Sequence, residues 1–107
     1  MSTVSTHVLD TSIGKPAPAI KVTLERGADI LGTALTNSDG RIPEFPGGTA
    51  LEEGAYRLRF LIEEYFHRDR RETLYSEITI NFRIVAEGHY HLPLLLGPFG
   101  YSTYRGS

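Results

Sequence analysis

The sequence predicts an all-β fold, an antiparallel β-sandwich of roughly seven to eight short strands with one short helix. Three observations carry that reading. Apolar and polar residues alternate with period two in several runs, as they do in strands that bury one face. Gly, Pro and Asp punctuate the intervals between the runs, where a sandwich needs its turns. Only one stretch breaks the period. The length of 107 residues fits a single domain spanning 1–107.

Taken in order, Val4 to Asp10 forms a short first strand in which Val8 points inward and His7 does not. Ile20, Val22 and Leu24 alternate with Lys21, Thr23 and Glu25. Ile30 to Thr36 is a less regular strand. Asn37 to Gly54 is a long loop with Pro43, Pro46, Gly47 and Gly48, and long loops in compact domains are often functional. It opens with the turn Asn37-Ser38-Asp39-Gly40, directly before Arg41. Tyr56, Leu58 and Phe60 alternate with Arg57 and Arg59, and Ile78, Ile80, Phe82 and Ile84 with Thr79, Asn81 and Arg83. Between them, Ile62 to Glu72 has no Gly or Pro and predicts a helix of about two to three turns. It is expected to pack Tyr65 or Phe66 on a sheet edge. The last two strands are His89 to Leu96 and Phe99 to Arg105.

Composition narrows the function. At 40% hydrophobic and 22% charged, the chain has an ordinary globular composition. A net charge of −2 gives no basic footprint for nucleic acid. Six arginines (57, 59, 68, 70, 71 and 83) crowd the second half, but Glu63, Glu64, Asp69, Glu72 and Glu77 interleave with them, so a mixed solvated surface is expected. Without cysteine, disulfides, thiolate nucleophiles and Cys-ligated metals are excluded. Met1 to His7 has neither a basic region nor an apolar core of the kind a signal peptide carries. The longest apolar run, Leu92 to Leu96, is far too short for a bilayer. A cytoplasmic protein with no membrane partner is the expectation.

The chemistry-bearing residues fall off the apolar faces. In His89 to Leu96, Tyr90, Leu92, Leu94 and Leu96 share one face, while His89 and His91 share the other. Imidazole titrates near neutrality and suits proton transfer with water. His7 has the same outward direction on the first strand. Arg41, held by a tight turn, can offer a fixed guanidinium to carbonyl or anionic oxygens. Tyr101 to Tyr104 is rich in hydroxyls, as a polar cavity wall would be. His7, His89, His91 and Asp10 have ligand chemistry for a metal, but no HExxH or comparable motif joins them, and no metal is expected. His67, among charges, reads as exposed. Nucleotide-binding and G-x-S-x-G motifs are absent.

Three stretches together resemble the 5-hydroxyisourate hydrolases, the transthyretin-related enzymes of urate breakdown. They are Ser5-Thr6-His7-Val8-Leu9-Asp10-Thr11 followed by Gly14-Lys15-Pro16-Ala17, then Thr36-Asn37-Ser38-Asp39-Gly40-Arg41, then His89-Tyr90-His91 through Tyr104-Arg105-Gly106-Ser107. They stand in the family's order and cover nearly the whole chain. Departures are Gly97 where the family often has Ser and Ser76 where it often has Pro, and neither removes a side chain assigned to chemistry. The resemblance implies a transthyretin-like sandwich that assembles as a homotetramer, a dimer of dimers, with polar strand faces lining a channel. It implies His7, Arg41 and His91 as catalytic residues, Tyr104 and Ser107 as substrate-binding residues, and hydrolysis of 5-hydroxyisourate without a cofactor. It selects His91 over His89 and leaves open which of His7 and His91 acts as base. The rival reading is a carrier, like transthyretin, which would want a more apolar channel lining.

Overall fold

Period two governs the first strand. In this computed structural model, which describes residues 1–107, β1 (Thr3–Asp10) turns Val4, Thr6, Val8 and Asp10 into the interior and His7 and Leu9 outward. The last long strand, β8 (His89–Leu96), lies beside it and repeats the pattern, with Tyr90, Leu92, Leu94 and Leu96 buried. The two run parallel, in register from Thr3 opposite His89 to Asp10 opposite Leu96. This departs from the wholly antiparallel expectation. Parallel neighbours need a long crossover, and here the crossover is the entire second sheet.

Short strands complete the first sheet. On the other edge of β1, β2 (Lys15–Pro16) and β5 (Arg41–Ile42) pair antiparallel. Beyond β8 lies β9 (Tyr101–Thr103). The second sheet has the order β4 (Asp29–Leu35), β3 (Lys21–Arg26), β6 (Gly54–Leu61), β7 (Ile78–Ile84), all antiparallel. The strand count is nine, two of them only two residues long. Those two carry no alternation, which is why the sequence shows only the longer seven. The expected strand Phe99 to Arg105 is confined to Tyr101–Thr103, because pairing with β8 ends where Thr103 meets Leu94.

The core lies between the sheets. Val4, Val8, Leu94 and Leu96 face Val22, Leu24, Leu58 and Phe60, all essentially inaccessible. Each such burial is worth about 1.5–3 kcal/mol. The long loop contributes too, since Phe45 is fully buried and Leu51 makes a bridge to Ser2.

Helix α1 (Glu63–Arg68) is shorter than the sequence suggests and buries both Tyr65 and Phe66. The chain leaves it through Arg70, at φ 54°, and folds Arg71 back onto β1. There Arg71 Nη2 and the Tyr65 hydroxyl each donate to Asp10 Oδ2 at 2.7 Å. Burial works against the Asp10 carboxylate, but the hydrogen bonds from Arg71, Ser12 and Tyr65 outweigh it and hold its pKa below the ordinary value. Burial and then Asp10 push Tyr65 up to about 12. On the outer face of the second sheet, Glu25 is nearly inaccessible beneath Arg57, at 2.8 Å, and Arg59, at 3.2 Å, and Arg59 also reaches Glu77. Of the acids expected to interleave with the arginines, Glu77 pairs with Arg59 and Asp69 with Arg71, whereas the nearly buried Glu25 departs from the expected solvated surface. No helix is long and apolar enough to cross a membrane.

Candidate active site

The outer face of the first sheet gathers the polar residues. The turn at Asn37 sets one wall. Asn37 Oδ1 accepts from the backbone N–H groups of Asp39 and Arg41 at 2.9 and 3.0 Å, an Asx-type turn. Gly40 follows at φ 73°, and its carbonyl accepts the Val8 N–H at 2.7 Å. A Cβ on Gly40 would sit 2.4 Å from the Val8 carbonyl oxygen, so only glycine permits this approach. The result is β5, which places Arg41 directly opposite His7.

The parallel pairing sets the other wall. It puts Ser5 opposite His91. Ser5 Oγ lies 2.7 Å from His91 Nδ1 and 2.8 Å from His89 Nε2, and Thr3 Oγ1 lies 2.5 Å from His89 Nδ1. Ser5 is only 5% exposed although it sits on the outer face, because the two imidazoles cover it. The end of the chain closes the third side. The Gly106 N–H donates to the His91 carbonyl at 2.8 Å, and Ser107 comes to rest beside them.

These elements enclose a cleft of about 240 Å³ whose walls include Ser5, Arg41, His89, His91 and Ser107. No Leu, Ile, Val, Phe or Tyr side chain lines it. Of the residues singled out from sequence, Arg41, His91 and Ser107 therefore converge. His7 stands at the edge of the group, paired with Arg41. Tyr104 is not among the lining residues and is 55% exposed. Asp10 points into the interior, away from the histidines. Sequence reasoning passed over Ser5 and set His89 aside in favour of His91. Period two had already put Ser5 on the face of His7.

Electrostatics favour neutral imidazoles. Burial lowers the pKa of His7 and Arg41 lowers it further, against a hydrogen bond and charge from Asp39 that act the other way. His91 is lowered by burial, then by Arg41, His7 and His89. A neutral imidazole keeps one ring nitrogen free to accept a proton. The cleft thus combines a fixed cation, proton acceptors and hydroxyls, which suits a small polar ligand with carbonyl oxygens and a reaction that moves protons.

A sandwich of this topology with such a cleft on one sheet's outer face defines a transthyretin-type protein that carries polar, proton-transferring groups. Residues 4–106 match the model of the HIUase/Transthyretin family, and the chain belongs to that family. The 5-hydroxyisourate hydrolase of Salmonella typhimurium is 43% identical over 109 residues, covering 97% of this chain and 80% of the relative. The structure of Klebsiella pneumoniae 5-hydroxyisourate hydrolase superposes with a TM-score of 0.92 at 43% identity, covering 100% of this chain and 94% of that one. Transthyretin from Sparus aurata, at 24% identity, shares the fold with a TM-score of 0.85, covering 96% and 95%.

Proposed function

We propose that the chain hydrolyses 5-hydroxyisourate to 2-oxo-4-hydroxy-4-carboxy-5-ureidoimidazoline, opening a ring amide with water in purine degradation, and that it does so without a cofactor. The observation that carries this reading is the convergence of Arg41, His91 and Ser107 on one polar cleft with His7 opposite Arg41. Water attacks the amide carbonyl and loses a proton to His7 or His91. The carbonyl oxygen gains negative charge, which the Arg41 guanidinium stabilises. The C–N bond then breaks and the departing nitrogen takes a proton from the acid form of a histidine. Ser107 and Tyr104 hydrogen-bond the ring.

The same reading includes a homotetramer, a dimer of dimers, in which the outer faces of the first sheet line a shared channel. The exposed side chains of Phe99, Tyr101 and Tyr104 support such a contact, and a neighbouring subunit is where Tyr104 would meet substrate. Sedimentation at about four times the chain mass checks it. A cytoplasmic location belongs to the reading as well, checked by fractionation. The carrier alternative wants aliphatic walls, and this cleft offers Ser, Arg and His.

The test is the ultraviolet absorbance of freshly made 5-hydroxyisourate. The protein should accelerate its decay well beyond the spontaneous rate. Decay at the spontaneous rate, with saturable binding of an apolar ligand, would favour the carrier.

A further inference from the structure

His89, Ser5 and Thr3 form a continuous hydrogen-bonded row that ends on His91, and the hydrolysis scheme gives three of these four side chains nothing to do. Two orientations of the row use the Ser5 hydroxyl proton to link the two rings. A serine or threonine hydroxyl has one proton to give, and a neutral imidazole has one N–H and one free nitrogen. In the first orientation His91 Nδ1–H donates to Ser5 Oγ, the Ser5 hydroxyl donates to His89 Nε2, and His89 Nδ1–H donates to Thr3 Oγ1. His91 Nε2 is then bare and able to accept a proton. In the second orientation each bond is reversed: Thr3 donates to His89 Nδ1, His89 Nε2–H to Ser5, and Ser5 to His91 Nδ1. His91 Nε2 then carries the proton and can give it away.

We propose that Ser5 and His89 act as a proton relay that switches His91 between base and acid during one turnover, with Thr3 accepting the His89 Nδ1–H throughout and holding that ring, and with His89 and Ser5 as positioning residues rather than catalytic ones. The proposal rests on the reading of His91 as a group that exchanges protons with water and the departing nitrogen.

The proton count closes. His91 Nε2 takes one proton from the attacking water while its Nδ1 proton passes to Ser5 Oγ and the Ser5 proton passes to His89 Nε2. His91 is left neutral with Nε2–H, and His89 holds the charge as an imidazolium. When the C–N bond breaks, His91 Nε2–H protonates the departing nitrogen. His89 returns its Nε2 proton to Ser5, and Ser5 returns one to His91 Nδ1. One proton enters from water, one leaves to nitrogen, and the row is restored.

The placement explains why a relay helps. Arg41 and His91 share the cleft wall, so a cation kept on the His91 ring would sit beside a second fixed positive charge. His89 is exposed to solvent and Ser5 is covered. Moving the charge along the row takes it from the half-buried ring to the exposed one, where water solvates it. The parallel pairing of β1 with β8 fixes the alignment, since Thr3 opposes His89 and Ser5 opposes His91.

The experiment compares Ser5→Ala, Ser5→Thr, His89→Leu and the Ser5→Ala/His89→Leu double variant in the assembled protein. Two readouts are used: steady-state kinetics and the nitrogen-15 NMR shifts of the His91 ring. Ser5→Ala should lower kcat by at least roughly tenfold, part of what a positioned acid–base group contributes, with KM within about twofold. Ser5→Thr, which keeps the hydroxyl, should restore most of the rate. The double variant should be no slower than the slower single variant, because the row works as a unit. In Ser5→Ala the two His91 ring nitrogens should report a mixture of tautomers in place of one. A single unchanged tautomer in Ser5→Ala would overturn the proposal, and so would losses that multiply in the double variant. A mixed tautomer with unchanged kcat would also overturn it. His91→Ala, run alongside, separates the two layers: an active His91→Ala protein means that the His91 reading itself failed, whereas an inactive one leaves that reading standing whatever the relay does.

Discussion

Arg41 faces His7 across the β1–β5 pairing, and its charge also reaches His91. One guanidinium thus keeps two imidazoles from being protonated easily. Burial acts in the same direction and is the larger cause for both.

That relationship sets the pH dependence. A base must be neutral to accept a proton, and a lowered pKa keeps it neutral to lower pH. The acid limb of kcat/KM should therefore fall below the ordinary imidazole value of 6.5. Arg41→Gln removes the largest lowering influence after burial on both rings, so its normalised limb should move to higher pH even as the rate drops. A wild-type limb at or above 6.5, or a limb that moves down in Arg41→Gln, would rule out this electrostatic account.

Rates should separate the cleft from the surface. His7→Ala, Arg41→Ala and His91→Ala should each slow hydrolysis by about a hundredfold or more, as loss of acid–base or oxyanion groups does. His67 lies exposed on α1 and is not among the residues lining the cleft, and His67→Ala should be near neutral. Circular dichroism of each variant checks that the fold is retained. A His91→Ala rate equal to that of wild type, beside a slow His89→Ala, would reverse the choice within the pair.

Much of this was legible because a strand's period is rigid. The alternation of Tyr90, Leu92, Leu94 and Leu96 with His89 and His91 fixed the buried and outward faces, and the structure keeps both. The Asn37 to Gly40 turn announced where Arg41 would be held. What sequence did not show is pairing between distant segments. Nothing local to Ser5 or His91 says that their strands run side by side, yet that contact builds the hydroxyl–imidazole row. Two-residue β5 has no pattern of its own. It exists because Gly40 lets the chain press against Val8. Asp10 could have been placed inside, since it shares the inward phase of Val4, Thr6 and Val8. Its carboxylate drew attention as a ligand because Arg71, its partner, lies far along the chain.

Stability should depend on that partner. Asp10 is wholly buried and Arg71 Nη2 is its closest cation, at 2.7 Å. Arg71→Ala leaves a buried carboxylate without a counter-charge and should cost about 3–5 kcal/mol. Asp10→Asn should cost less, because an amide keeps a carbonyl for Tyr65. The sign of the pH effect follows from the lowered Asp10 pKa. Its stabilisation is present above the ordinary value of 3.8 and is lost as pH falls through the lower folded value. Urea melts at neutral and acid pH check both statements. Arg71→Ala melting like wild type would show that the pair is dispensable.

The end of the chain should be part of the machinery. Gly106 bonds the His91 backbone, and Ser107 lines the cleft. A Cβ at Gly106 would lie 2.7 Å from His91 Cδ2 and 3.1 Å from Pro93 Cγ. Gly106→Ala must therefore displace the imidazole, and kcat should fall more than stability does. Removing Tyr104 to Ser107 should abolish turnover yet leave the sandwich folded, because Tyr90, Leu92, Leu94 and Leu96 still fill the core. Tyr104→Phe is the discriminating variant. Within one chain the Tyr104 side chain is exposed and outside the cleft, so an effect on KM requires a neighbouring subunit to bring it to substrate. The expected loss is that of one hydrogen bond, about 0.5–1.5 kcal/mol. Steady-state rates measured across a range of protein concentrations, with the assembly state followed by sedimentation, decide the matter. A Tyr104→Phe protein indistinguishable from wild type in the proposed tetramer would take Tyr104 out of the site and leave Ser107 as its C-terminal contributor.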